Sequence, residues 1–218
     1  MPGDTHPPSR RSFIGRIAAM GAFAFGGEVI AADALIAQGK WDLSWVNRIR
    51  KARHRALFDA PGPGVVLDLA TRYIDNVHDV YGKSAGGICA VLNIRTRAVS
   101  MGLGDAMWAK YPIGEDAKVN DSDTGAPARR NVDMRVSDEK AAQGYGSFER
   151  LQKEGAIVLV CDFALGHLAR RLATKQSLQP DDVHAELKSN LIPGAILVPS
   201  GIFGAAQAQN AGCAFIPA

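Results

Sequence analysis

Gly155-Ala156-Ile157-Val158-Leu159-Val160-Cys161 carries no charged side chain and runs straight into Asp162-Phe163-Ala164-Leu165, after which Leu165, Leu168, Ala169 and Leu172 recur at helical spacing. An apolar run of strand length suits a strand covered on both faces, and the periodic stretch behind it is a helix. The same alternation extends in both directions. Upstream, Ile88 to Ile94 is a second apolar strand, and His54 to Asp59 is an earlier one that stops at Pro61-Gly62-Pro63-Gly64. Between them Val66, Ala70, Ile74 and Val77 mark a helix, with Gly82 as its stop. Downstream, Pro180-Asp181-Asp182 opens a helix, since proline suits the first turn and carboxylates complement the helix dipole. Ala195 to Val198 is a strand, Gly201 to Asn210 a helix, and Cys213 to Ile216 a last strand. Strands alternating with helices predict an α/β fold, a mostly parallel five-stranded sheet with helices on both faces. Ligands and chemistry in such sheets gather at the carboxyl ends of the strands.

Two stretches read less clearly. Ala98 to Tyr111 is expected as one helix ending at Pro112, and Glu115 to Gly144 as a long polar loop or insertion. A short helix around Trp41 to Arg50 precedes the first strand.

The amino-terminal end has another character. Ser9-Arg10-Arg11-Ser12-Phe13-Ile14-Gly15 matches the twin-arginine export signature, followed by an apolar, Gly/Ala-rich run from Ile17 to Gly27 and small residues at Ala31, Ala32 and Ala34. A basic start, a short apolar middle and a small-residue exit form a targeting peptide, too short for a membrane span. Residues 1–34 therefore read as a signal peptide, 35–53 as linker and short helix, and 54–218 as one domain. The expected destination is the periplasm or the exterior, with membrane attachment only through an uncleaved leader. The formal net charge of +3 includes leader residues Arg10, Arg11 and Arg16, so the remainder is near neutral. Nucleic acid, which needs a concentrated basic patch, is not an expected partner.

The 3 cysteines cannot all pair with one another. Cys161 ends its strand and precedes a helix, whose first amides stabilise a thiolate. Cys89 and Cys213 lie near strand starts, on the opposite edge. A strand spans roughly 17–20 Å, and a disulfide needs Cα atoms within about 7 Å, so Cys161 is expected to be a free thiol. Either it is reactive or it merely packs. Asp162 either disfavours a thiolate or serves as the helix N-cap. Cys89 and Cys213 are expected to pack.

The order of these elements, with Gly155 to Cys161 entering a helix, resembles the DsrE/DsrF-like family. Phe58-Asp59-Ala60-Pro61 closing the first strand, Pro199-Ser200-Gly201-Ile202-Phe203, and Gly212 before the last strand add to the likeness, which covers about residues 54 to 218. The resemblance implies a single three-layer flavodoxin-like domain and a homo-oligomer. It also implies a sulfane sulfur held as a persulfide on Cys161, exchanged with a donor or acceptor protein or a small sulfur compound. The alternative is a non-catalytic small-ligand-binding or assembly domain.

Other candidates sit on the same edge. Arg95 and Arg97 follow the second strand where an anion could bind, and Ser200-Gly201 offer helix amides. His167 falls on a polar helix face and reads as solvated; His78 and His184 read as surface residues. Trp108 and Tyr111 either wall a pocket or pack. There is no Cys-x-x-Cys and no pair of histidines at ligand spacing, so neither a metal nor a cofactor is expected.

Overall fold

In the computed structural model of the chain, residues 41–83 and 87–218 are described. The leader read from residues 1–34 lies outside them. Helix α1 (Ser44–Lys51) leads into strand β1 (His54–Ala60), helix α2 (Val66–Tyr81) and strand β2 (Ile88–Ile94). A 3₁₀ helix (Thr96–Gly102) and four short helices follow: α3 (Asp105–Lys110), α4 (Ile113–Ala117), α5 (Asp138–Ala142) and α6 (Phe148–Lys153). Then come β3 (Ile157–Cys161), α7 (Asp162–Gln176), α8 (Pro180–Ser189), β4 (Ile196–Val198), α9 (Gly201–Asn210) and β5 (Ala214–Pro217).

All five strands pair in parallel, in the order β4-β3-β2-β1-β5. From β1 to β4 each strand is laid down on the same side of its predecessor. Right-handed crossovers therefore deliver α2 through α8 to one face. The step from β4 to β5 travels back past β1, so its crossover helix, α9, arrives on the other face, where it meets α1. The result is a three-layer flavodoxin-like α/β domain.

The core divides along the same plane. Ala56, Phe58, Ala90, Leu92, Val158 and Val160 face the first layer, where they pack with Ile74, Trp108, Phe148, Leu165 and Leu168. Leu57, Val91, Ile157 and Leu159 face the second, against Trp45, Val46, Ile49 and Ala208. Alternate residues of each strand thus enter different cores, as the two-residue strand period requires. Burying one such leucine, isoleucine or valine is worth about 1.5–3 kcal/mol. The local stops behave as the sequence implies. Gly82, at φ 78°, ends α2 by donating its N–H to His78 O. Gly155, at φ 83°, makes the turn into β3.

Two expectations are corrected. Ala98 to Tyr111 is not one helix. Gly102 and Gly104 interrupt it, and Leu103 between them leaves the helical path to bridge Leu191 in antiparallel fashion. Trp108 and Tyr111 are buried, at 0% and 1% exposure, and pack in the core. Nor is Glu115 to Gly144 a plain loop, since it contains α5 and the end of α4. It is also anchored. Asn131, buried, donates through Nδ2 to the carbonyls of Met101 and Leu103 at 2.7 and 2.8 Å. Gly114 lies so close to Ala128 that a Cβ there would be 2.4 Å from backbone atoms. Polar composition hid this segment because its apolar contacts, through Val119, Ala128, Val132 and Met134, follow no helical or strand period, and its other anchors are a side-chain amide and backbone.

Candidate functional site: a cysteine-capped helix at the carboxyl edge

β3 passes into α7 with no intervening loop, so the last strand residue is also the helix N-cap. That residue is Cys161, and its Sγ accepts a hydrogen bond from the Ala164 amide at 3.3 Å. Serine, threonine or aspartate usually fills this role. The sulfur therefore takes one of the orphan amides of a 15-residue helix and lies at the positive end of its dipole. Cys161 is only 4% exposed and belongs to the first-face core cluster. Polarisation and burial hold at the same atom. All three cysteines are free, as expected for Cys161.

Asp162 is not the N-cap; the cysteine has taken that position. Its carboxylate turns instead to α8, where Oδ1 lies 2.9 Å from His184 Nε2. Gly166, one turn on, lies against the imidazole: a Cβ there would sit 3.6 Å from His184 Cε1, an ordinary contact. His184 is thus a half-buried partner of the residue beside Cys161, not a surface histidine. The sequence offered no sign of it, because the contact spans 22 residues and two helices. His167 is exposed, as read, and touches Arg170 and the exposed ring of Phe163.

A second polar group holds the strand ends together. Asp59 and Asn93 are register partners at the ends of β1 and β2. Asn93 Nδ2 donates to Asp59 Oδ1 at 2.8 Å and to Gly201 O at 3.0 Å. Arg95 grips the same carboxylate with Nε at 2.8 Å and Nη2 at 2.6 Å. Burial pushes Asp59 upward, but the hydrogen bonds from Arg95 and Asn93 outweigh it, and the carboxyl stays below its ordinary range. Arg95 is held above its own range by those bonds, against burial, with further support from the charge of Asp59 and of a Cys161 thiolate. The register explains that last influence. The final β2–β3 pair is Ile94 with Val160, so the next step sets Arg95 beside Cys161. The signal for this network was present in the chain: a lone asparagine inside the apolar run of β2.

Arg95 is therefore committed to Asp59 and is not a free anion site. Its aliphatic stem also covers Gly201, where a Cβ would fall 2.6 Å from Arg95 Cβ. Ser200 caps α9, its Oγ accepting from Phe203 N at 3.2 Å, and the Gly201 carbonyl is taken by Asn93. Arg97 stands apart from this group, exposed over a cleft beside α7. Of the sequence candidates, Cys161, Arg95, Ser200 and Gly201 converge and Arg97 does not. The side chains of Phe163 and Ile202, on the first turns of α7 and α9, are 66% and 81% exposed at this edge.

At the opposite edge Cys89 and Cys213 lie in the second-face cluster, with Arg55 of β1 between their strands. Burial pushes Cys89 up to about 11, against the pull of Arg48 and Arg55. Burial and the neighbouring Cys89 push Cys213 up to about 12. Among the described residues no group of three or more His, Cys, Asp or Glu could hold a metal ion, and no helix is long and apolar enough to cross a membrane.

Fold and site together define an all-parallel, three-layer α/β protein whose carboxyl edge presents a thiol-capped helix beside an Asp–Asn–Arg cluster. No protein-family model matches the chain, and a search of curated proteins finds no match.

Proposed function

We propose that this chain is an exported sulfur carrier of the DsrE/DsrF-like kind, in which Cys161 accepts a sulfane sulfur as a persulfide and hands it on. The observation that carries the proposal is the Ala164 amide donating to Cys161 Sγ at the start of α7. A helix N-terminus with an amide donating to a cysteine sulfur is a setting in which thiol–disulfide exchange chemistry is found. With thiosulfate, the Cys161 thiolate attacks the outer sulfur, the S–S bond breaks, and sulfite leaves with the electron pair. The negative charge then rests on the terminal persulfide sulfur. An acceptor thiolate attacks that sulfur in turn and Cys161 leaves as thiolate. Burial at 4% exposure suits storage and handover on contact, because it shields the persulfide from bulk thiols.

Exposure to thiosulfate or polysulfide should raise the intact mass of the wild type by about 32 Da or multiples of it. Cys161→Ser should not change. Equal uptake by both proteins, or uptake by neither, overturns the proposal. The same burial favours a second reading, a non-catalytic binding or assembly domain in which Cys161 only packs and caps; uptake by neither protein is its signature. Export rests on Arg10 and Arg11. Replacing both with lysine should abolish delivery of the folded protein across the membrane, and unchanged delivery would remove that part of the proposal.

A further inference from the structure

Arg97 is the sequence candidate that the cysteine site leaves unused. Among the described residues its hydrogen bonds run through the backbone N–H and carbonyl, and its exposed side chain lines a cleft of about 280 Å³. That size is near the lower end of the roughly 300–1,000 Å³ typical of small-molecule sites. The cleft lies between the 3₁₀ helix, α4 and α7. Val99, Ala117 and Leu168 make it apolar within, and Ser100 sits on its wall. Ser100 Oγ is held only by a long 3.4 Å bond to Arg97 O, which leaves it able to turn to a ligand.

Charge at the rim is unbalanced. Asp116 lines the cleft but is already occupied. Arg171 grips it through Nε and Nη2, at 3.2 and 2.8 Å to Oδ2, and Lys175 Nζ reaches Oδ1 at 3.1 Å. Burial pushes Asp116 upward, yet these two cations hold it below the ordinary carboxylate range, so it remains an anion. Among the lining residues two cations, Arg97 and Arg171, thus face one carboxylate, Asp116, an excess of one positive charge over an apolar floor. Arg171 keeps Nη1 unused among the described residues, and Arg97 keeps its whole planar fork. Two guanidinium edges above aliphatic walls match a planar anion carrying a short hydrocarbon tail.

We propose that this cleft binds a short-chain carboxylate, with the carboxylate between Arg97 and Arg171 and the tail against Val99, Ala117 and Leu168. The site is separate from Cys161 and does not depend on sulfur chemistry. The test is an NMR titration of the isotope-labelled full chain with acetate, butyrate and sulfate, comparing wild type, Arg97→Gln and Cys161→Ser. Butyrate should shift the signals of Val99, Ser100, Ala117 and Leu168 with a Kd on the order of millimolar. Each methylene from acetate to butyrate should tighten binding by about threefold to fourfold. Arg97→Gln, whose spectrum itself reports that it folds, should weaken butyrate by about tenfold or more. Cys161→Ser should bind as the wild type does, which distinguishes failure here from failure of the sulfur proposal. Absence of shifts at these residues overturns the assignment, as does equal binding by Arg97→Gln. Sulfate binding as tightly as butyrate does so too, since the apolar floor would then contribute nothing.

Discussion

The two edges of the sheet carry the same side chain in nearly equal burial and treat it in opposite ways. Cys161 is 4% exposed at the carboxyl edge; Cys89 and Cys213 are 4% and 8% exposed at the amino edge. Burial therefore does not distinguish them. What differs is the direction of the neighbouring backbone. In an all-parallel sheet every following helix begins at the carboxyl edge, so its free amides and positive dipole end collect there. Cys161 receives one of those amides, whereas Cys89 and Cys213 sit in hydrocarbon and resist ionisation. A cysteine's place along its strand decides whether a helix amide reaches its sulfur, whatever its exposure.

The largest expected difference is in thiol reactivity. With Cys89 at about 11 and Cys213 at about 12, their thiolate fractions near neutral pH should fall below that of an ordinary thiol by about two to three orders of magnitude. Alkylation of the folded protein followed by mass mapping should leave both unlabelled until urea is added. Labelling of all three at one rate in the folded state would erase the contrast between the edges.

Next come the arginines of the two edges. Arg95→Ala strands the 7% exposed Asp59 carboxylate without its cation, at a cost of roughly 2–4 kcal/mol, discounted because Arg95 itself is partly exposed. Arg55→Ala at the amino edge loses one hydrogen bond, to Ala211 O, and should cost about 1 kcal/mol. The Asp59 contribution has a definite pH sign. Its folded value is lowered, so the stabilisation exists above the usual carboxylate range and is lost as pH falls through the folded value. Urea titrations of both variants at neutral pH and in acid test this; equal losses would break the comparison.

Asp133 sharpens the point within one edge. Burial and the charge of Asp68, in the first turn of α2, push it up to about 6. A raised carboxyl destabilises the fold in its ionised form, so the cost is absent in acid, grows as pH rises through about 6, and then stays constant. Asp133→Asn should therefore be more stable than wild type above neutral pH, by an amount on the order of 2–3 kcal/mol. The advantage should vanish near pH 4, roughly where a free carboxyl titrates. A thermal-unfolding series across pH decides it; a constant difference at all pH values would refute the assignment.

The smallest single effect, at Cys161, comes from one substitution made at both edges. Cys161→Ser places a good N-capping oxygen where the sulfur caps α7, and should change stability by less than about 0.5 kcal/mol. Cys89→Ser and Cys213→Ser bury a hydroxyl among apolar groups and should each cost about 1–3 kcal/mol. Denaturant midpoints measured side by side are enough, and a costly Cys161→Ser with free substitutions at the other edge would reverse the lesson.

Much of this architecture was legible in the chain because its signals are local. The apolar runs of β2 and β3 and the glycine stops at Gly82 and Gly155 lie where the elements begin and end. The place of Cys161 at a strand-to-helix junction follows from the same short-range pattern. The 3₁₀ helix and the anchoring of the stretch after Glu115 were not legible, since they depend on Leu103 meeting Leu191 and Asn131 meeting Met101. Nor was the outcome at Asp162. Either role weighed for it is local, but its actual partner lies on another helix.

Alternation of strand and helix, and the position of a thiol within it, are properties of neighbouring residues, and the amino-acid order determines them alone. The union of Asp59 with Asn93 and Arg95, and the pairing of Asp162 with His184, join residues 22 to 36 positions apart, and the strand order joins residues as distant as Ala56 and Ala214. Those contacts exist only once right-handed crossovers have stacked the strands. Only the packed layers could therefore decide that the capping sulfur is also a buried one.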